Sequence, residues 1–177
     1  MQPARHVHPI SQGRAAGAPR MRSDNRRVTG NEIRFDYRRH GYRDVYEIMP
    51  HIDGAPLNEL IDRFETDAGM QPAGDAYGGL IPLFFRIGPL DEHFRGRSTD
   101  AVWPKTPVLG CECGEVGCWP LMTQITVAAD RVTWDCIEQP HRKTRDYTGF
   151  GPFRFDRRQH DDALRALTEA ADLCEAD

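Results

Sequence analysis

Long apolar runs are missing from this sequence, and their absence excludes a class of protein. None of its 177 residues belongs to a stretch of the roughly 18 or more apolar residues that a membrane-spanning helix requires. The N-terminus also lacks the apolar core of about 7–15 residues that secretory signals contain. We therefore expect a cytoplasmic protein that does not enter a membrane.

The sequence motifs of several common enzyme classes are missing as well. There is no phosphate-binding P-loop, no dinucleotide-binding glycine pattern, no H-E-x-x-H motif and no G-x-S-x-G motif. Nucleotide-dependent and hydrolytic functions therefore lose their usual support. Whether the protein is an enzyme stays open, and a binding role is favoured.

Charge is distributed unevenly along the chain. Residues 1–31 contain six arginines and one acid, Asp24, a composition that is typical of disordered segments. This tail permits three interpretations: a solvated arm with weak nucleic-acid contacts, a targeting peptide, or an artefact of translation that truly begins at Met21. The remaining residues, 32–177, form one predicted domain with a formal charge of −9, so we expect no nucleic-acid groove there.

Alternating apolar and polar residues predict a hairpin at the start of this domain. Residues 32–38 place an apolar side chain at every second position, which is typical of a half-buried strand. A turn at residues 40–41 then allows residues 44–52 to return as the second strand.

The middle of the domain gives three further predictions. Helical spacing of apolar residues predicts a short helix over residues 57–67. Residues 80–87 alternate again and can pack on both faces, which predicts a central strand. Residues 91–105 show no period and predict a surface loop, whose polar residues 91–97 are a weaker candidate for an enzyme's pocket.

The second half of the chain predicts another hairpin and a terminal helix. The hairpin joins residues 119–127 to residues 131–137, and the helix begins after Asp156 as its cap. Strands and helices do not alternate regularly. The pattern therefore predicts an α+β fold, with a mostly antiparallel sheet of hairpins, a short internal helix and a C-terminal helix.

Five cysteines are present, and three of them form a cluster. Cys111, Cys113 and Cys118 fall within eight residues, in a C-x-C-x4-C spacing interleaved with glycines. Because glycine permits tight turns, this loop can direct three sulfur atoms to one point, as tetrahedral zinc coordination requires. We therefore predict a structural zinc site at the tip of a hairpin, where the fixed loop serves as a recognition surface for a protein partner.

A structural zinc ion needs a fourth ligand, and the sequence offers three candidates. His141 ranks first because it lies in a polar segment that can return to the loop. Cys136 ranks second, since it shares a predicted strand face with Trp134 and is expected to be buried. Cys174 ranks third because it lies close to the chain end.

Two other uses of the cysteines remain open. In a metal-free binding module, the three thiols would stay reduced and pack in a tight turn. In a thiol-dependent enzyme, Cys118 would work with His141 and Asp146. The charges of Glu112 and Glu115, however, are expected to raise the pKa of nearby thiols, which disfavours a reactive thiolate.

The run from Cys111 to Cys118 resembles the cysteine segment that follows the catalytic domain of SET-type lysine methyltransferases. In those enzymes the segment supplies three zinc ligands and another part of the fold supplies the fourth, so the resemblance implies metal binding and not methyl transfer. A wider pattern resembles uncharacterised bacterial proteins with C-x-C-G-E-x-G-C-W-P-L, V-T-W, Q-P-H-R and G-P-F-x-F-D-R motifs. These motifs stand here at residues 111–121, 132–134, 139–142 and 151–157. This second resemblance implies a related fold and no particular activity.

Overall fold

The computed structural model describes residues 30–97 and 104–175. These ranges contain eight strands and four helices. In chain order they are β1 (Ile33–Arg39), β2 (Tyr46–Ile52), β3 (Ala55–Pro56), α1 (Leu57–Asp67), β4 (Tyr77–Gly78), α2 (Pro82–Phe85), α3 (Leu90–His93), β5 (Thr106–Cys111), β6 (Leu121–Val127), β7 (Arg131–Glu138), β8 (Phe153–Asp156) and α4 (Arg157–Glu175).

The chain has an α+β fold with antiparallel sheets, as the sequence predicts. One sheet has the strand order β1-β2-β3, and the other is a curled sheet with the order β4-β5-β6-β7-β8. Both predicted hairpins are present. In the first, Ile33 pairs with Ile52, and in the second, Val127 pairs with Val132.

Backbone bridges join the small sheet to both edges of the large one. Ile48 of β2 exchanges two hydrogen bonds with Leu80, just beyond β4, at 2.7 and 2.9 Å. At the opposite edge, the Asn31 amide donates to the Arg154 carbonyl of β8 at 2.6 Å. Asn31 therefore belongs to the folded part of the chain, and residues 1–29 of the predicted tail lie outside the described residues.

The internal and C-terminal helices match their predictions. Helix α1 occupies residues 57–67, and α4 begins after Asp156, whose Oδ1 accepts the amides of Arg158 and Gln159 at 2.9 and 3.1 Å. The Gln159 side chain then bonds to the backbone of Ile33, which fixes α4 against β1. None of the helices in the described ranges has both the length and the apolar character needed to cross a membrane.

The predicted central strand over residues 80–87 is wrong. Only Leu80 makes a strand-like bridge, and Pro82 opens the four-residue helix α2. Proline has no amide to donate to a sheet, and its fixed φ suits the first turn of a helix. The helix buries Phe85 but leaves Leu83 71% exposed, so the segment does not pack on both faces.

The predicted surface loop over residues 91–105 is also incorrect in its first part. Helix α3 covers its start, and His93 and Phe94 are buried. His93 donates from Nε2 to the Pro107 carbonyl at 2.8 Å, and burial lowers its pKa to about 4. Arg95 forms an ion pair with Asp161 of α4 at 3.0 Å, so this polar segment anchors two helices to each other. Residues 98–103 lie outside the described part of the chain.

An aromatic core lies between the sheets and α4. The rings of Phe35 and Phe94 lie 4.6 Å apart between centroids, and Trp134 stacks on Phe94 at 6.2 Å. Phe155 contacts Trp134 edge to face at 5.6 Å. His160 of α4 is buried beside these rings, and this burial lowers its pKa to about 4.

Candidate metal centre

The three clustered cysteines lie at the end of the β5–β6 hairpin, as predicted. We call residues 112–120, which join the two strands, the thiol loop. Cys111 is the last residue of β5, is half-buried and lies opposite Tyr77 of β4. Cys113 and Cys118 belong to the thiol loop and are exposed.

The three sulfur atoms converge. All three Sγ atoms lie within 4.8 Å of one another, and those of Cys111 and Cys113 are 3.1 Å apart. Thiolates bound tetrahedrally at about 2.3 Å from zinc are separated by about 3.8 Å, so small shifts would let all three share one ion. No other group of three potential metal ligands with this spacing occurs among the described residues.

Two tight turns produce the convergence. The Gly114 amide donates to the Cys111 carbonyl at 2.9 Å, and the Cys118 amide donates to the Glu115 carbonyl at 3.3 Å. Gly114 has a φ of 76°, and a Cβ there would lie 2.9 Å from Nε of Arg43. Glycine is therefore required at this position by both backbone conformation and space.

Arg43, from the β1–β2 connection, fixes the thiol loop from the other sheet. Its Nη2 donates to the Cys113 carbonyl at 2.9 Å and to the Glu115 carboxylate at 2.8 Å. On the opposite side of the loop, the Glu112 amide donates to the Ala76 carbonyl at 3.1 Å. Sequence reasoning missed Arg43, because no local pattern connects it with cysteines 70 residues away.

The local environment shifts the pKa values of Cys111 and Cys113 in opposite directions. Burial and a hydrogen bond with Cys113 raise the pKa of the Cys111 thiol to about 12. At Cys113 burial also acts to raise the pKa, but hydrogen bonds with Cys111 and the Glu115 amide outweigh it and lower the pKa. The Glu115 charge acts to raise the pKa of Cys113, as expected, but these hydrogen bonds outweigh it.

His141 lies outside the three-thiol group. The β6–β7 pairing ends at Glu138, three residues before His141. The next residue, Arg142, lies over the Trp119 ring at 4.4 Å from its centroid. The segment that carries His141 is thus packed against the end of the thiol loop.

The other two candidate ligands are located elsewhere. Cys136 is exposed, so its predicted burial beside Trp134 is wrong. A bulge in β7 causes the difference: the pairs Met122–Glu138 and Gln124–Asp135 leave two β7 residues opposite one β6 residue. Cys136 takes a φ of 51° there, and the alternation of faces shifts. Cys174 is half-buried in α4 and is outside the group.

A buried polar cluster lies next to the thiol loop. We define it as Glu65, Tyr77, Arg145 and Tyr147. The Glu65 carboxylate accepts both tyrosine hydroxyls, at 2.9 Å from Tyr77 and 2.6 Å from Tyr147, and pairs with Arg145 at 2.8 Å. Burial, together with the contacts to Glu65, raises the pKa of both tyrosines.

Fold and site together define an α+β domain that carries three convergent thiols at a hairpin end, a group that is compatible with a metal ion. No protein-family model, curated protein or solved structure was found that matches this chain. The chemistry of the thiol group therefore carries the functional argument.

Proposed function

We propose that the protein binds one zinc ion through Cys111, Cys113 and Cys118. The observation that carries this proposal is the convergence of their Sγ atoms within 4.8 Å. Thiolates favour zinc over magnesium and calcium, which take oxygen ligands. The donor set therefore fits zinc.

His141 is the proposed fourth ligand. Structural zinc sites are four-coordinate and closed, with Cys3His among the common ligand sets. The support for His141 is the packing of its neighbour Arg142 on the Trp119 ring, beside Cys118 in the sequence. The ion would then join the β5–β6 hairpin to the segment after β7.

The proposed role of the ion is to hold the thiol loop as a recognition surface for a protein partner. The loop presents Val116, which is 41% exposed, together with two exposed glutamates, Glu112 and Glu115. An ordered loop loses less conformational entropy on association than a mobile one. The corresponding location is the cytoplasm, where reducing conditions keep clustered thiols available to a metal.

Metal analysis tests the proposal directly. The full-length protein, purified without chelator, is expected to contain about one equivalent of zinc. A Cys111→Ser, Cys113→Ser, Cys118→Ser variant is expected to contain none, whereas a Cys136→Ser, Cys174→Ser control keeps the full amount. Well under one equivalent in a folded wild-type protein would overturn the proposal.

Cobalt substitution tests the fourth ligand. In the cobalt-loaded protein, His141→Ala is expected to change the ligand-field spectrum and weaken binding by about 10–100-fold, because a protein ligand is replaced by water. Lys143→Ala, two residues further along the same exposed segment, is the matched control. Identical spectra for the wild type and His141→Ala would exclude His141 as a ligand.

A thiol-dependent enzyme is the second candidate, and one observation favours it. Cys113 is exposed and has a second thiol 3.1 Å away, an arrangement suited to disulfide chemistry. Rapid alkylation of Cys113 alone at neutral pH would support this alternative. Slow alkylation of all three thiols, accelerated together by a chelator, would support zinc binding.

A further inference from the structure

A second polar site lies between the two sheets, beside α1. It is a cavity of about 230 Å³ whose walls come from the end of β1, from β2, α1, β4 and the thiol loop. Its lining includes Arg38, His40, Glu47, Asn58, Asp62 and Glu112. Pockets for drug-sized ligands span roughly 300–1,000 Å³, so this cavity suits a molecule of only a few heavy atoms.

Two buried oxygens in the cavity wall have no hydrogen-bond partner among the residues that the structure describes. Oδ1 of Asn58 and Oδ1 of Asp62 are both buried acceptors without a hydrogen-bond donor in the described residues. His40 is also buried, and its Nδ1 accepts the Tyr42 amide at 3.2 Å. Because buried acceptors without donors are costly, the site lacks hydrogen-bond donors that a ligand would supply.

The remaining wall groups are held in place. The Glu47 carboxylate is buried and accepts Nε of Arg38 at 2.8 Å and the Gly79 amide at 3.0 Å. A Cβ on Gly79 would lie 2.8 Å from this carboxylate, so glycine permits the contact. Oδ2 of Asp62 accepts the Asp75 amide at 3.2 Å. The cavity is therefore formed before any ligand arrives.

The charge of the lining selects a cation. Glu47, Asp62, Asp75 and Glu112 contribute four carboxylates against the single guanidinium of Arg38, which leaves a formal charge of −3. Burial, followed by repulsion from neighbouring carboxylates, raises the pKa of Asp62. A bound cation would offset both effects, whereas an anion would add to the repulsion.

The spacing of the lining disfavours a bare metal ion. Among the residues that the structure describes, only the three cysteines bring three potential metal ligands within 4.8 Å of one another. The carboxylates and the imidazole that line the cavity form no such group. A cation with several N–H donors matches the unpartnered oxygens of Asn58 and Asp62 better.

We propose that this cavity binds the guanidinium or primary ammonium group of a small molecule. The site is separate from the metal centre, although Glu112 lines it from a position between two of the proposed zinc ligands. Binding would engage Asp62 and Asn58 through N–H donors and leave the Glu47–Arg38 pair intact.

Amide NMR spectra of the full-length protein provide the test. Methylguanidinium and methylammonium chloride are titrated separately, and the reporters are the amides of Tyr42, Asp75 and Gly79, each bonded to a side chain in the wall. Saturable shifts of these amides are expected with at least one probe, and the tighter probe identifies the head group. Tetramethylammonium, which has the same charge and no N–H donor, is expected to produce no saturable shift.

Substitutions assign the effect to the cavity. Asp62→Asn is expected to weaken probe binding at least tenfold because it removes a charge, and Asn58→Ala is expected to weaken it severalfold. Asp172→Asn, at an exposed position on α4, is the matched control. Comparable amide shifts with tetramethylammonium, saturation with magnesium or calcium chloride alone, or no saturation with any probe would each overturn the proposal. If Asp62→Asn does not fold, the Asn58→Ala comparison decides.

Discussion

The thiol loop and the buried polar cluster lie next to each other, and they satisfy their polar groups in different ways. Tyr77 of the cluster sits opposite Cys111 in the β4–β5 ladder. The charged and hydroxyl groups of the cluster pair with one another, since the Glu65 carboxylate accepts two hydroxyls and forms an ion pair with Arg145. The loop instead directs three thiols at one point.

This difference separates what holds the fold together from what the loop can do. The cluster resembles a hydrogen-bonded core, where removing one member leaves the others buried without partners. The loop is fixed by a few hydrogen bonds at its edges, and its centre is suited to a ligand from outside the chain. Changes in the cluster should therefore unfold the protein, whereas changes in the loop should release a metal and leave the fold in place.

Glu65→Ala is the substitution that should have the largest effect, and it tests whether the cluster supports the fold. It leaves Arg145 without its ion pair, and the free energy of unfolding is expected to fall by about 3–5 kcal/mol. Urea denaturation of the wild type and the variant measures this loss. Glu59→Ala, an exposed position on the same helix, is the control. A loss below about 1 kcal/mol would mean that the cluster is not a structural support.

Removal of the metal should have the next largest effect. If the ion is present at about 100 times its dissociation constant, a chelator lowers the free energy of unfolding by about 2.7 kcal/mol. Circular dichroism should show that the chelated protein remains folded at 25 °C. The triple cysteine-to-serine variant should not respond to the chelator, and a response there would place the metal elsewhere.

Acid should weaken the aromatic core independently of the loop. His93 and His160 have pKa values of about 4 in the folded protein because both are buried. The unfolded chain, with histidine pKa values near 6.5, therefore binds protons first as the pH falls. Each histidine should cost about 2 kcal/mol of stability at pH 5 relative to pH 8. The test measures the free energy of unfolding at pH 5 and pH 8 in the triple cysteine-to-serine variant, with and without His160→Leu. A smaller pH dependence with His160→Leu would confirm the contribution of His160.

A pair of glycine substitutions sharpens the comparison within the loop itself. Gly114 and Gly117 have similar φ values of 76° and 78°, but only at Gly114 would a Cβ meet Arg43 and Ile81. Gly114→Ala should therefore cost about 1 kcal/mol more stability than Gly117→Ala, and it should weaken metal binding more. Parallel thermal melts and metal titrations measure both effects. Equal losses of stability would show that backbone strain, and not the contact with Arg43 and Ile81, determines the cost of both substitutions.

Local patterns in the sequence predicted most of the regular structure. Residues 57–67 and the helix after Asp156 match because helical spacing and capping depend on near neighbours. The strand predicted over residues 80–87 failed because Pro82 favours a helical turn over a sheet ladder. The face of Cys136 could not be predicted either, since the bulge depends on how β7 aligns with β6.

The candidate sites also differ in how much of each could be predicted from local sequence patterns. The three cysteines lie within eight residues, so their spacing alone predicted their convergence. Arg43 reaches the thiol loop from 70 residues away, and Tyr147 reaches Glu65 from 82 residues away. The polar cavity combines side chains from several separate elements. Contacts of this range follow from the packing of the two sheets, which no local pattern encodes.

The contacts of Arg43 also define what an engineer would have to move. Residues 111–118 on their own would lose the guanidinium that supports the Cys113 carbonyl and balances Glu115. If this motif is transferred to another protein, it therefore needs the β1–β2 connection as well as residues 111–118. The smallest portable unit is a pair of hairpins from two different sheets.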